Sequence, residues 1–352
     1  DVGLKESLVK DGNEWLRLSL PTSLPMSADP ETLNDDGRTA QQSVELVRLR
    51  LEQVGFSGKT PIWNACLKDV NKAKSIVASP GMVKGIPPEN KQQSSELVTA
   101  AQKKLDELAV AVRNQDITTT QSVQKECSRL ISEIRALSLQ PGVLPYSVPT
   151  EYSKLPQLRG RATVECVLSK KKGVYIFEDG SKSKDVKLTL VIDGYHAPIT
   201  AGNFVDLVKK QFYDNKPIQI SDDLLVQVGK TKTAPSRTIP LEIFYKKDVA
   251  PTYEYTSDDD MRATESFALP FQAYGALGME HDEEDVNTAS TEFWFLKWDQ
   301  ALVPPSRNTL DGSRACFGYV VENQDLLSQV GVGDVIVEMK VVQGGDNLVV
   351  PS

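Results

Sequence analysis

The chain has 352 residues, of which 40 are basic and 48 acidic, giving a net charge of −8. This length exceeds one typical hydrophobic core, so two domains are expected, and 40% hydrophobic residues suffice to bury both. Residues 1–150 are balanced in charge, whereas residues 151–352 carry 30 acidic against 22 basic side chains, which disfavours a nucleic-acid partner, and no apolar run approaches the ~20 residues of a membrane span.

Residues 1–139 show helical periodicity, with apolar side chains on one face of each segment. Thr60-Pro61 is a helix start signal, since a capping hydroxyl precedes proline at the first helical position, and Pro80-Gly81 ends that helix. The predicted helical segments are 11–20, 37–54, 61–78, 90–114 and 117–139. Short connections favour antiparallel neighbours, so the pattern predicts a four-helix antiparallel bundle behind a short leading segment, with Trp63 in its core rather than in a ligand groove.

Residues 140–158 contain four prolines and predict a stiff linker, because proline fixes its own backbone angle. In residues 159–352 the apolar period changes from 3.6 to 2. Candidate strands are 161–168, 174–178, 186–193, 224–228, 241–245, 293–296, 316–321 and 335–342, with candidate helices at 200–211 and 323–329. Eight strands with two helices favour a closed β-barrel, so the fold class is α+β with two domains.

The side chains that a metal would need are few and widely spaced: Cys66, Cys127, Cys166, Cys316, His196 and His281. No Cys-x-x-Cys pair occurs, so neither a metal site nor a cofactor is predicted. Cys66 and Cys127 lie on different predicted helices, where a disulfide is possible, although two buried thiols are favoured. The acidic runs 258–260 and 282–285 lack the spacing of a calcium loop and indicate solvated charge.

Two motifs in the second domain occur in a specific order. An alternating strand leads into Ala197-Pro198-x-Thr200-x-x-Asn203-Phe204, where Pro198 suits a helix start and Thr200 a cap. About a hundred residues later, Leu310-Asp311-Gly312 precedes Phe317-Gly318 and a further strand. Together these motifs resemble the cyclophilin-type peptidyl-prolyl isomerases, and the resemblance implies an eight-stranded cyclophilin-like β-barrel with two helices.

The resemblance also implies that the catalytic cation is missing. In cyclophilins an arginine hydrogen-bonds the prolyl amide nitrogen and so lowers a rotation barrier of ~18–20 kcal/mol. Alignment back from Gln227 places that position at Gln219, or at Ile220 if the following loop is one residue shorter. Gln219 would donate a bond roughly half as strong as a charge-assisted one, and Ile220 would donate none. The expected loss in rate is roughly ten- to a hundred-and-fifty-fold, and no catalytic residue is assigned.

By the same resemblance, the vestigial substrate-binding pocket consists of Leu224, Leu225, Gln227, Glu280, Glu292, Trp294, Leu310 and Arg314. Trp294 stands where a phenylalanine is usual and is expected to fill the space of a proline ring. Arg314 stands where a histidine is usual. Residues 280–285 would form one wall of this pocket. Arg314 either replaces the missing cation from the opposite side of the pocket, or it pairs with Glu280 or Asp282 and holds this wall closed.

The opening phrase of residues 11–21 is similar to that of the multidomain thylakoid-lumen cyclophilins, and residues 193–208 nearly repeat a phrase of that family. The bundle also resembles the small extrinsic Q-type subunit of photosystem II. The resemblance implies a place in the thylakoid lumen of a chloroplast or other plastid, peripheral to the membrane. The implied partners are lumenal subunits of photosystem II or loops of its core antenna proteins.

The implied role is a catalytically degenerate cyclophilin that assembles or stabilises photosystem II, or is a resident subunit of it. The alternative is a weakly active peptidyl-prolyl isomerase or lumenal folding chaperone. A third function that the resemblance implies is regulation of a thylakoid phosphatase, for which no residue of the sequence gives support.

Overall fold

The computed structural model describes residues 9–21, 35–52, 59–232, 237–297 and 308–351. The chain divides into two compact units. The first contains Leu16–Gln140, and the second contains Pro141–Ser352 together with Lys10–Trp15. Among the described residues, no helix combines the length and the hydropathy that a membrane span requires.

The helices of the first 140 residues follow the predicted segments closely. They are α1 (Gly12–Ser19), α2 (Asp35–Leu51), α3 (Lys59–Val77), α4 (Lys91–Arg113) and α5 (Ile117–Ala136). Between α4 and α5, Asp116 caps the new helix by accepting the backbone N–H of Thr119 at 3.0 Å. The prediction of helical segments is confirmed, and predicted residues 53 and 54 lie outside the described part of the chain.

The apolar faces of α2 to α5 meet in one core, which includes Trp63 as predicted. Cys66 and Cys127 belong to this core and are free thiols. Burial raises the pKa of each thiol to about 12. The two cysteines therefore contribute apolar packing in this structure rather than a covalent link.

A buried polar network interrupts the apolar core of the bundle around Glu45 of α2. The Glu45 carboxylate accepts the Nε of Arg17 at 2.6 Å and the side-chain amide of Gln41 at 3.0 Å, and it also accepts the Ser128 hydroxyl. Burial would raise the pKa of Glu45, but the charge of Arg17 and these hydrogen bonds hold it below its ordinary value. The fully buried carboxylate is thus compensated by a guanidinium that is partly exposed.

In its described residues from 141 onwards, the second unit contains one α-helix, α6 (Pro198–Lys209), and both short and long strands. The strands are β1 (Gln157–Leu158), β2 (Arg161–Ser169), β3 (Tyr175–Ile176), β4 (Lys182–Ser183), β5 (Asp185–Asp193), β6 (Lys216–Pro217), β7 (Ile220–Ser221), β8 (Leu225–Val228), β9 (Glu242–Ile243), β10 (Thr252–Tyr253), β11 (Ala276–Met279), β12 (Phe293–Leu296), β13 (Cys316–Glu322), β14 (Val335–Gln343) and β15 (Leu348–Val349). Within the described residues, nine of them form one antiparallel sheet in the order β6-β14-β2-β5-β13-β11-β12-β8-β7.

The α+β architecture is therefore confirmed, with differences in individual elements. The sheet has nine strands rather than eight, and the strand at Ala276–Met279 was missed. Two predicted barrel strands pair elsewhere, since Tyr175–Ile176 pairs with β4 and Glu242–Ile243 pairs with β10. The predicted second helix is a 3-10 helix over Gln324–Gln329. An alternating pattern fixes which face of a strand is buried, but it does not choose the partner strand.

The buried side chains of β2 and β5 alternate with partly or fully exposed ones and belong to the same core as the buried residues of α6. Phe204 of α6 contacts Phe293 of β12 edge to face, with ring centroids 4.9 Å apart. Three of the eight predicted pocket residues lie on β12 and its neighbour β8, namely Leu225, Gln227 and Trp294, and Leu224, Glu280 and Glu292 lie next to the ends of β8, β11 and β12.

The start of α6 differs from the prediction in one respect. Pro198 lies in the first turn as expected, but Thr200 makes no cap. The buried carboxylate of Glu242 takes that role, accepting the backbone N–H groups of Ile199 at 3.2 Å and Thr200 at 2.9 Å. The cap comes from a residue 42 positions away in sequence, so local sequence gave no sign of it.

Candidate functional site

Gln219, the first candidate for the arginine position, is held by Lys230. Its side-chain nitrogen donates to the Lys230 carbonyl at 2.9 Å, and its side-chain oxygen accepts the Lys230 backbone N–H at 2.9 Å. Its own backbone N–H donates to the Gln227 carbonyl at 3.0 Å. Both polar atoms of the Gln219 amide therefore brace a turn of the backbone.

Ile220, the second candidate, lies on β7 opposite Gln227, and it is 42% exposed. Leu224 is 44% exposed, and its backbone N–H donates to the Asp222 side chain at 2.8 Å. Leu225 lies on β8 opposite Leu296 of β12. Ile220 and Leu224 thus lie at the surface rather than in an enclosed hollow.

A cleft of about 600 Å³ brings together four of the predicted pocket residues: Gln227, Glu280, Glu292 and Arg314. Gln227 is 7% exposed and its side-chain amide donates to the Glu292 carboxylate. Burial raises the pKa of Glu292, and the negative charges of Glu280 and Asp282 add to the rise, whereas the bond from Gln227 opposes it. The cleft floor is therefore polar and its wall acidic.

Glu280 is the most connected side chain of the wall. One of its carboxylate oxygens accepts the Nε of Arg314 at 2.9 Å and the backbone N–H of His281 at 3.1 Å. The other oxygen accepts the indole N–H of Trp294 at 3.2 Å. Of the two predicted roles for Arg314, the structure has the pairing with Glu280.

Trp294 lies on β12 opposite Gly278 of β11, and it is fully buried. Its ring contacts Phe271 at a centroid distance of 5.0 Å. Leu310 is half-buried and closes a turn, since its carbonyl accepts the backbone N–H of Arg314 at 3.0 Å. The structure therefore places Trp294 beside Glu280 and Leu310 beside Arg314, whereas Ile220 and Leu224 are exposed, with Ile220 directly across β7 and β8 from the cleft residue Gln227.

Sequence reasoning missed Lys230 and Gly278, both of which contact predicted site residues. Lys230 lines the cleft and is bound through its backbone by Gln219. A glycine inside an apolar strand indicates that another group approaches the backbone closely, so Gly278 could have been identified from the sequence. His281 is a hydrogen-bonded wall residue, with Nδ1 2.7 Å from the Asp282 carbonyl and Nε2 2.8 Å from the Ser313 carbonyl.

No group of three metal-ligating side chains lies together in the described part of the chain. The arrangement is that of a cyclophilin barrel whose cleft keeps a glutamine but is bordered by carboxylates, which defines the class as cyclophilin-like.

Comparison with known proteins agrees with this class. Residues 179–347 match the family described as cyclophilin type peptidyl-prolyl cis-trans isomerase/CLD, and residues 16–138 match the peptidyl-prolyl cis-trans isomerase CYP38-like, PsbQ-like domain. The chain is 34% identical to the putative thylakoid lumen peptidyl-prolyl cis-trans isomerase sll0408 of Synechocystis, over 97% of this chain and 84% of that protein. It is also 34% identical to the chloroplastic isomerase CYP38 of Arabidopsis thaliana, over 98% of this chain and 76% of that protein.

The chain therefore belongs to the cyclophilin-type peptidyl-prolyl cis-trans isomerase family, as a multidomain member of the thylakoid lumen. Among solved structures, the cyclophilin AquaCyp293 from Hirschia baltica matches 56% of this chain and 82% of its own, with a TM-score of 0.32 and 12% identity. A match of that size carries no argument about the site.

Proposed function

We propose that this protein is a catalytically degenerate cyclophilin that assembles or stabilises photosystem II on the lumenal side, by binding other proteins. The observation that carries the proposal is the engagement of Gln219. Its side-chain nitrogen and oxygen are both bonded to the Lys230 backbone, and the one N–H that remains is an uncharged donor, about half as strong as the charge-assisted donor of an arginine. The neighbouring candidate, Ile220, is apolar and exposed.

The state of Arg314 supports the same proposal. Its guanidinium bonds Glu280 and also donates to the Ser313 carbonyl at 3.2 Å. Moving it towards a substrate would break a charge-assisted bond that is about twice as strong as a neutral one. A cation is therefore present near the cleft, but the protein itself holds it.

The helical domain supports a role outside peptide isomerisation. Residues 16–138 match a domain whose description names a likeness to PsbQ, and the relatives that share both domains are named as lumenal or chloroplastic proteins. A bundle of this kind adds a large surface that peptide isomerisation by a barrel does not require. That surface is suited to binding lumenal subunits of photosystem II or loops of its core antenna proteins.

Pull-down from detergent-solubilised thylakoids tests the binding role. The tagged full chain is expected to recover photosystem II subunits at low salt, and a tagged single-domain cyclophilin serves as the control for binding by the barrel alone. Recovery of no photosystem II subunit above this control contradicts the proposed role.

A slow prolyl isomerase is the second candidate, favoured by the retained, buried Gln227 and by the names of the relatives. We expect turnover of X-Pro peptides at the uncatalysed rate, because Gln219 and Ile220 carry no charge and the guanidinium that lines the cleft, Arg314, is bound by Glu280. A protease-coupled isomerisation assay measures this directly.

Arg314→Ala is the diagnostic variant for that assay. Arg262→Ala is the matched control, since it removes a barrel arginine that Asp248 and Glu265 bind at 2.7 and 2.8 Å. Turnover above background that Arg314→Ala abolishes and Arg262→Ala preserves would establish the isomerase and overturn the degenerate site.

A further inference from the structure

The indole of Trp294 lies directly on the backbone of the neighbouring strand. Gly278 is its partner across β11 and β12, and a Cβ built on Gly278 would lie 2.1 Å from Cη2 and 2.2 Å from Cζ2 of the indole. No side chain can occupy that space while Trp294 keeps its position. Gly278 and Trp294 are therefore complementary in shape, one supplying the room that the other fills.

The polar edge of the same indole is fixed by Glu280. Residues 278 and 280 are two apart, so they point to the same face of an extended chain. Gly278 therefore leaves room for the indole ring, and Glu280 accepts the indole N–H at 3.2 Å. The second oxygen of Glu280 binds Arg314 at 2.9 Å, which keeps the carboxylate compensated and in place. Trp294 is thus held through both its face and its edge.

The cleft beside the buried indole remains open. Glu280 and Arg314 both line this cleft of about 600 Å³, so the pair that holds Trp294 also forms part of the cleft wall. A peptide that enters the cleft meets hydroxyls and carboxylates, such as Ser290 and Glu292. The closed part of the site is the space over Gly278, where Phe271 and Trp294 pack together.

We propose that Gly278, Glu280 and Trp294 form a specificity lock that excludes a proline ring from the barrel while leaving the adjacent cleft free for an extended segment without proline at that position. This inference rests on the proposed binding function and deepens it. The Trp294 indole fills the space over Gly278, and the missing side chain of Gly278 leaves room for it. Glu280 is the positioning residue, because its bond to the indole N–H holds the ring in that space. Replacing the indole by a phenyl group removes three ring atoms, as many as the side-chain carbons of proline.

Binding of a fluorescein-labelled Ala-Ala-Pro-Phe peptide, followed by anisotropy, tests the lock in the full chain. The wild-type protein is expected to show no saturable binding up to the highest protein concentration tested, and Trp294→Phe is expected to bind the peptide with a Kd at least about tenfold below that concentration. An Ala-Ala-Ala-Phe peptide is expected to show no such gain. Trp63→Phe makes the same exchange in the bundle core and is the matched control.

Glu280→Gln keeps the volume of the core and tests the positioning role. Its affinity for the proline peptide is expected to rise, but by less than that of Trp294→Phe, because the indole loses its charged acceptor. The control is Glu283→Gln, which removes an exposed carboxylate of the same wall.

Gly278→Ala is expected to lower the melting temperature, and Trp294→Phe in the same chain should restore much of it. This rescue would show that the two positions compete for one space.

Two results would overturn the lock. One is saturable binding of the proline peptide by the wild-type protein. The other is a set of folded Trp294→Phe and Glu280→Gln variants, judged by thermal unfolding, that bind the proline peptide no better than wild type. Neither result depends on the thylakoid pull-down, so failure of the lock and failure of the photosystem II role are distinguishable.

Discussion

Replacing Arg17 with methionine is expected to lower the free energy of unfolding of the helical bundle by about 3 to 5 kcal/mol. The substitution keeps the apolar stem but leaves the Glu45 carboxylate fully buried without its cation. Gln41 and Ser128 still donate to Glu45, but neutral donors do not compensate a buried charge fully. Urea unfolding of the full chain, followed by circular dichroism at the helical band, measures the loss.

Arg48→Met is the matched control, because Arg48 and Arg17 are equally exposed at 22% and differ in their partners. Glu52, the partner of Arg48, is 45% exposed, whereas Glu45 is fully buried. An exposed pair of this kind is worth below about 1 kcal/mol. Equal losses in the two variants would show that burial of the carboxylate does not decide the effect.

The pH dependence of the Arg17 effect has a fixed sign. The folded state holds the pKa of Glu45 below its ordinary value, so this stabilisation is present above the unfolded pKa and is lost as the pH falls through the folded one. The difference between wild type and Arg17→Met should therefore shrink in acid, where the variant can protonate Glu45. A difference that grows as the pH falls would contradict this account.

Raising the pH from about 5 to 8 is expected to lower the free energy of unfolding of the barrel by about 2 to 3 kcal/mol through Glu242 alone. Burial raises the pKa of Glu242 to about 7, although the backbone N–H groups of Thr200 and Ile199 oppose the rise. Because the folded protein binds this proton more tightly than the unfolded chain does, the stabilisation is complete in acid and is lost as the pH rises through about 7.

Glu242→Gln carries no titrating group, so its unfolding free energy should change less over the same pH range than that of wild type. Burial also raises the pKa of Asp311 to about 7, so part of the dependence should remain in the variant. Glu165→Gln is the control, since Glu165 lies on the outer side of β2 and binds Lys187 at 2.8 Å. An unchanged pH profile in Glu242→Gln, measured by urea unfolding followed by near-ultraviolet circular dichroism, would contradict the assignment.

The sequence alone identified several residues of the site, but not the contacts between them. The resemblance identified Gln219, Glu280, Trp294 and Arg314 as relevant positions, because each replaces a residue type that the family uses. It left open whether Arg314 reaches across the cleft or pairs with its own wall. That choice depends on which side chains lie within hydrogen-bonding distance, and Glu280 is 34 positions away in sequence.

The sequence by itself determined the elements with strong periodicity. The helical stripes of residues 61–78 and 117–139, and the alternation in β2 and β5, specify their structure because burial of one face is a local property of the pattern. Only the tertiary structure decided the rest. The strand Ala276–Met279 is buried on both faces and contains a glycine, so it shows no alternation, and its role follows from Trp294 lying on Gly278. The cap of α6 by Glu242 and the bracing of Lys230 by Gln219 depend on contacts between distant residues, which no local pattern encodes.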